Sequence, residues 1–118
     1  MKHQGDLILK ENLILDEDLI VEGNIICKGG LWNIEAGDIE AWNIEAWNIK
    51  AWNIKALDIK AENIEAFDIK ALDIKALNID YWAVCYARNS FKCKSIKGRR
   101  KNCRHFCLDN EIQIGSFE

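Results

Sequence analysis

A five-residue pattern of apolar and polar positions runs through residues 31–80. Every fifth position is an isoleucine, each isoleucine follows an Asn or Asp, and nine of the ten have an alanine two residues later. An α-helix spreads positions five apart around its circumference, and an odd period cannot keep one face of a flat strand. The pattern therefore predicts a chain that turns a corner once per repeat and coils into a solenoid of parallel strands.

The unit Ile-x-Ala is predicted to form one side of a coil. Residues two apart in a strand share a face, so the isoleucine and the alanine point inward and the Lys or Glu between them points outward. The next two residues, such as Trp47-Asn48 or Leu57-Asp58, are predicted to form the corner, because Asn and Asp side chains bond to nearby backbone. The outward charges do not choose between three and four sides per coil, since both registers produce attractive and repulsive pairs.

A second repeat, of six residues, covers residues 6–29 and reads DLILKE, NLILDE, DLIVEG, NIICKG. When the two repeats are aligned on Asn or Asp, the hexads also place a large residue and a second apolar residue inward. Residues 1–5 are predicted to be a short free start. The middle residues of the hexads should form an outward apolar stripe, which is either covered by a terminal segment or used for self-association or partner binding. These residues are Ile8, Ile14, Ile20 and Ile26.

Large apolar residues also occupy the predicted corners, with tryptophan early and leucine late. One interpretation is aromatic stacking that shields the backbone at the corners. The other is a protein-binding surface, because Trp is favoured at the centres of interfaces. The candidate partner surface consists of Trp32, Trp42, Trp47, Trp52, Ile14 and Ile20.

The charge changes sign along the chain. Residues 1–80 contain sixteen acidic and eight basic residues, whereas residues 81–118 contain three acidic and eight basic ones. The candidate basic patch is either a cap that blunts the last open coil or a site for nucleic acid or an acidic partner. It consists of Arg99, Arg100, Lys101 and Arg104.

Within residues 81–118 the repeat loosens. Further sides are predicted at Val84-Cys85-Tyr86, Phe91-Lys92-Cys93 and Ile96-Lys97-Gly98, followed by a closing strand at 111–114. The length of 118 residues suits one domain, which we take as 1–118 with hexad coils at 6–29, pentad coils at 31–80 and irregular coils and a cap at 81–118.

The residues that could carry chemistry are few. The five cysteines, with no signal-peptide layout, favour reduced thiols and a cytoplasmic location, and no segment has the length of a membrane span. Zinc binding by Cys103 and Cys107 with Cys85 and Cys93 is an alternative, although their spacing is not that of a usual double pair. Three of the five cysteines, Cys27, Cys85 and Cys93, also fit as inward or near-inward small apolar residues. No phosphate loop, nucleophile elbow or zinc-protease motif occurs, so we expect no catalytic residue, no metal and no cofactor.

The tandem pentads, with Asn or Asp before a large aliphatic residue and alanine nearby, resemble pentapeptide-repeat proteins. The hexads at 6–29 look more like the short repeats of bactofilin-type polymer-forming proteins. Both resemblances imply an all-β fold, a right-handed parallel β-helix. The pentapeptide-repeat family includes dimeric inhibitors of type II topoisomerases that imitate DNA, and it offers no active site to match.

Three functions are therefore expected. The first is a non-catalytic structural or protein-binding solenoid whose partner is an unidentified protein or itself, as a homo-oligomer. The second is inhibition of a nucleic-acid enzyme by DNA mimicry, against which the lysines within the acidic shaft argue. The third is nucleic-acid binding through the basic residues, which should weaken steeply with salt.

Overall fold

The computed structural model of the protein describes residues 1–28, 30 and 32–115; Gly29, Leu31 and residues 116–118, which the sequence placed in the hexads, the first pentad and the cap, lie outside the described residues. Strands account for 70% of the described residues, which contain no helix. The twelve strands are β1 Lys2–Gln4, β2 Leu7–Leu9, β3 Leu13–Ile14, β4 Leu19–Glu22, β5 Ile25–Cys27, β6 Asn33–Glu35, β7 Asp38–Glu40, β8 Asn43–Lys50, β9 Asn53–Lys55, β10 Asp58–Gly98, β11 Arg104–Cys107 and β12 Gln113–Ile114.

All strand pairs are parallel, and the chain forms a β-solenoid of about six turns, which confirms the predicted all-β parallel β-helix class. In the pentads, residues fifteen apart are paired: Ile34 with Ile49, and Ile49 with Ile64. Three pentads therefore complete one coil, and the solenoid has three sides. The choice between three and four sides, which the charges left open, is settled as three.

The three sides define faces A, B and C. Face A contains β1, β4, β7 and β9, face B contains β2, β5 and the first half of β8, and face C contains β3, β6 and the second half of β8. Strand β10 is long enough to pass around all three faces and continue both halves of β8 and β9.

The hexads form wider coils than the pentads. Leu7 pairs with Ile25, eighteen residues later, so three hexads make one coil. Residues 1–5 are not a free start, because β1 pairs with β4 along face A and its residue Lys2 lies beside Ile20. The backbone of the first residues therefore belongs to the first coil.

The predicted inward residues form the core. The ten repeat isoleucines are at most 2% exposed, and the alanines of the pentads are buried except Ala51, which is half-buried. The boundary between side and corner differs from the prediction by one residue. The isolated strands contain Asn or Asp, Ile and the charged residue, as in Asp38–Glu40, and the chain bends at the alanine and the residue after it. The Asn or Asp belongs to the side because it bonds to the neighbouring coil.

In the irregular coils, Cys85 and Ala87 are fully buried, whereas Val84 and Tyr86 are half-exposed. The predicted side at 84–86 was therefore wrong by one residue for Val84 and Tyr86, whereas the burial of Cys85 agrees with its alternative assignment as an inward apolar residue. Phe91 and Cys93 are buried as predicted. The closing strand spans only Gln113–Ile114 and pairs with β10.

Candidate interaction surfaces

The four tryptophans of the candidate partner surface are distributed over all three corners. The Trp47 N–H donates to the Trp32 carbonyl at 3.1 Å, which places these two residues on the corner between faces B and C. Trp42 lies on the corner between faces A and B, one coil below Leu57, whose N–H bonds to the Trp42 carbonyl. Trp52 lies on the third corner, the C/A corner. The structure therefore brings together Trp32 and Trp47 but not the whole set.

The outward isoleucines of the hexads point away from the core, as predicted, but they do not form one stripe. Ile8 and Ile26 are paired on face B, whereas Ile14 lies on face C beside Glu35 and Ile20 lies on face A beside Glu40. The predicted stripe was wrong because residues six apart fall on successive faces of a three-sided coil. Ile14 is 67% exposed and is an isolated apolar side chain on face C.

A column of three aromatic rings runs along the C/A corner. The ring centroids of Trp52 and Phe67 are 4.7 Å apart with an angle of 27° between the planes, and those of Phe67 and Trp82 are 5.8 Å apart at 19°. Stacking at a corner is thus confirmed for Trp52. Phe67 and Trp82 were not included in the candidate partner surface, although their fifteen-residue spacing from Trp52 is a signal in the sequence.

Beside this aromatic column lies a groove of about 370 Å³. The column forms one wall. The opposite wall consists of the outward residues of face C in three successive coils, which the strand register aligns as Glu35, Lys50 and Glu65. Alanines of the corner form the floor. Their N–H groups are already bonded: the Ala36 N–H donates to the Lys50 carbonyl at 3.1 Å. A ligand in this groove would therefore meet rings and charges rather than free backbone donors.

Face C also carries a continuous ladder of side-chain hydrogen bonds. Each Asn amide donates to the amide oxygen of the Asn one coil below, with distances of 2.8 Å from Asn48 to Asn33, 2.7 Å from Asn63 to Asn48 and 2.9 Å from Asn78 to Asn63. The hydroxyl of Ser95 continues the ladder to Asn78 at 2.7 Å. The ladder fixes the register of the coils along this face.

On face B the same kind of side-chain ladder is interrupted, because two successive positions are carboxylates rather than amides. Asp58 and Asp73 occupy equivalent positions in successive coils, and the Ser90 hydroxyl donates to Asp73 at 2.7 Å. Burial, followed by the hydrogen bond and the negative charge of Asp73, raises the pKa of Asp58 above its ordinary value of 3.8. Two carboxylates cannot replace the donor that an Asn amide supplies, so this step of the ladder is unfavourable when both are charged.

The four residues of the candidate basic patch lie in the last coil. Arg99, Arg100 and Lys101 follow the end of β10, and Arg104 begins β11. The Arg99 guanidinium forms an ion pair of 3.0 Å with Asp80, an outward residue of face C. Arg100, Lys101 and Arg104 are exposed. The structure therefore supports a basic end to the solenoid, with one of its four cations already paired.

Beneath this basic end, aromatic and thiol groups fill the core. Tyr81 takes the place of a repeat alanine and is 1% exposed, and its hydroxyl bonds to Nδ1 of His105 at 2.6 Å. Gly98 lies above it, where a Cβ would collide with Cys103. Burial, with smaller contributions from Cys103 and Cys85, raises the pKa of Tyr81 to about 12.

The cysteines of the described residues are free thiols. Burial raises the pKa of Cys93 to about 11, and burial followed by the nearby Cys93 raises the pKa of Cys85 as well. Buried thiols held in the protonated form are unreactive. Among the described residues, no group of three or more His, Cys, Asp or Glu side chains is arranged to hold a metal ion.

The described part of the chain also contains no helix with the length and hydropathy needed to cross a membrane. Comparison with models of known protein families, with curated proteins and with solved structures gave no match to this chain.

Proposed function

We propose that this protein is a non-catalytic structural solenoid that associates with further copies of itself, the acidic end of one copy meeting the basic end of the next. The observation that carries this proposal is the difference between the two end coils and the shaft between them. The end coils combine exposed strand edges, exposed apolar side chains and charges of opposite sign.

The strand edges of the end coils are open in the described structure. Strands β1, β2 and β3 of the first coil each pair with a single strand, and β11 and β12 of the last coil each pair only with β10. Each end therefore presents backbone donors and acceptors on one side. Such edges favour the addition of a further strand.

Exposed large apolar side chains are concentrated at these ends. Of the ten in the described residues, three lie in the first coil and three in the last, and the latter include Leu108 at 59% and Ile114 at 52% exposure. Stacking of one end on the next would bring these outward side chains beside those of the neighbouring copy and bury part of their apolar area.

The charges of the end coils are complementary. Residues 1–18 contain five acidic and two basic residues, whereas residues 99–115 contain four basic and two acidic ones. Contact between unlike ends is attractive, and contact between like ends is repulsive. An interface between unlike surfaces does not close by two-fold symmetry, so it adds copies into a filament.

The test is light scattering after size exclusion on nuclease-treated protein over a range of protein and salt concentrations. The mass should rise above 13.6 kDa with protein concentration and fall with added salt. The double variant Arg100→Glu, Lys101→Glu should remain a monomer. The matched control Lys55→Glu, Lys70→Glu makes the same charge change on face A and should assemble like the wild type.

A wild-type mass that stays at one subunit, or that stops at two, would contradict the proposal. Equal assembly of the end variant and the shaft variant would also contradict it. The relationship to pentapeptide-repeat proteins, and a cytoplasmic location suited to free thiols, remain part of the same proposal.

A further inference from the structure

The groove along the C/A corner is a second surface of the molecule, separate from the end coils. We infer that it binds an arginine side chain of an extended segment of a partner protein, with the guanidinium stacked on Trp52 and paired with Glu35. This inference does not depend on the proposed self-association, because none of the groove residues lies in an end coil.

The lower end of the aromatic column provides a ring face for stacking. Phe67 and Trp82 are half-buried because the rings cover one another, whereas Trp52 is 60% exposed. One coil below, the same corner position is Gly37, whose carbonyl accepts a hydrogen bond from the backbone N–H of Trp52 at 2.7 Å. A glycine has no side chain with which to cover the indole, so the column ends in an open step.

Glycine at this step leaves room for the Asp18 carboxylate. A Cβ on Gly37 would force that carboxylate to move, although it accepts a hydrogen bond from the Asp38 backbone N–H at 2.8 Å. The contact between two coils therefore favours an open step. It also places a carboxylate beside the position where a stacked group would enter.

The charge around the step favours a cation. Glu35 and Trp52 line the same groove, and the other outward residues of its wall are Lys50 and Glu65. Among the described residues, none of these three charged side chains takes part in an ion pair. The carboxylate of Glu35 is therefore available to a ligand, and a cation over the face of a Trp ring gains a further attraction.

Arginine fits this arrangement better than lysine. Its planar guanidinium stacks on an aromatic face and at the same time offers donors at its edge for a carboxylate. The same face of the solenoid already binds one guanidinium, that of Arg99 on Asp80 at 3.0 Å. An added strand would find no free backbone donor at Ala36 or Ala51 in the groove floor, since both N–H groups are bonded to the next coil.

The experiment is a titration of the full chain with a short capped glycine–serine peptide that contains one arginine, followed through the indole N–H signals in NMR spectra. The signal of Trp52 is assigned by its absence from the Trp52→Phe variant. We expect it to shift and saturate with a dissociation constant on the order of 1 mM, and a peptide with neutral citrulline in place of arginine should bind roughly tenfold more weakly.

Three variants locate the binding site. Binding to the variants is followed through the backbone amide signals of the groove residues 35 and 36, which remain when Trp52 is replaced. Trp52→Ala should abolish saturation of these signals, and Glu35→Gln should weaken binding about fivefold while leaving the fold unchanged. Trp42→Ala is the matched control, because Trp42 is 56% exposed at another corner. Like Trp52, it donates its backbone N–H to a glycine carbonyl one coil below, that of Gly23. The inference is overturned if the citrulline peptide binds equally well, if Trp42→Ala weakens binding as much as Trp52→Ala, or if the Trp52 signal does not move.

Discussion

The hexad coils and the pentad coils differ in the size of the inward residue next to each corner. In the pentads this residue is alanine, as in Ala66, which is 1% exposed. In the hexads it is larger, as in Leu9 and Val21, which are 6% and 2% exposed. The extra residue of each hexad side lengthens the perimeter, so the wider interior requires more side-chain volume. Period and core composition therefore change together, as close packing demands.

The Asn and Asp residues of the two regions also bond differently. In the first coil, side-chain oxygens of Asp6, Asn12 and Asp18 accept backbone N–H groups of the next coil at 2.8–2.9 Å. In the pentads the side chains bond to one another, as on face C. An acceptor is sufficient in the first arrangement, whereas the second requires a group that both donates and accepts. Either aspartate or asparagine is therefore suitable in the first coil, whereas each side-chain bond between pentads requires asparagine on the donating side.

The largest expected effect comes from reversing the polarity of an inward pentad position. Ile54→Asp places a carboxyl group in the apolar interior, at a cost of about 4 kcal/mol or more, which is comparable with the whole stability of a small domain. We expect insoluble protein. The hexad control Ile14→Asp changes an outward residue and should remain soluble with a free energy of unfolding within about 0.5 kcal/mol of wild type.

The soluble fraction after expression and the free energy of unfolding from urea curves are measured for both variants. Soluble Ile54→Asp with cooperative unfolding near wild type would refute the inward assignment.

Exchanging the sizes of the inward residues tests the difference between the coils. Ala66→Leu overfills the narrow pentad interior and should lower the free energy of unfolding by about 2 kcal/mol. Leu9→Ala leaves a cavity in the wider hexad interior and should cost about 2 kcal/mol, the low end for such a change because it lies in the first coil. Denaturant midpoints at constant m-value provide the comparison. If Ala66→Leu were neutral, the pentad interior would not be tightly filled.

The smallest effect concerns the ladder on face B. Asp73→Asn supplies an amide donor next to Asp58 and removes one of two neighbouring negative charges, so it should raise the free energy of unfolding by about 0.5 kcal/mol at neutral pH. The hexad control Asp18→Asn keeps its acceptor and should be neutral or slightly destabilising. A destabilised Asp73→Asn would show that the two carboxylates do not oppose each other.

The same pair predicts a dependence on pH. Because the pKa of Asp58 is raised in the folded state, that state binds more protons than the unfolded chain at pH values just above 3.8. The contribution of Asp58 to stability therefore falls as the pH rises from 3.8 through its folded pKa. Urea unfolding at several pH values should show this decline in wild type and a smaller one in Asp73→Asn.

The inward side of the chain was predictable from the period alone. Isoleucine recurs at every fifth position from 34 to 79, alanine follows nine of these ten isoleucines by two residues, and the residue between is always charged. The number of sides was not. Glu35 faces Lys50 in a three-sided coil and Lys55 in a four-sided one, so charge pairing did not distinguish them. That choice depends on how the side chains of a whole coil fill the interior together, which no single repeat reveals.

The candidate surfaces depended on that number. With three sides, Trp42, Trp47 and Trp52 fall on different corners although they are close in sequence. Trp52, Phe67 and Trp82 share a corner although thirty residues separate the first from the last. The groove could therefore not be predicted from the sequence without the number of sides per coil. The one-residue error at Cys85 arose because the apolar pattern there is continuous and does not mark a face.

The three-sided register also determines which internal deletions the molecule could absorb. Removing residues 51–55 would leave every remaining pentad with its inward Ile and Ala, so the interior would be unchanged in kind. Every later residue, however, would move to the preceding face, and Trp82 would leave the corner of Gly37. Removing residues 51–65 would instead take out one whole coil and keep every later residue on its own face. The pattern of inward residues thus repeats every five residues, whereas a position on the surface recurs only every fifteen. A gain or loss of repeats therefore preserves the surface only when it involves whole coils.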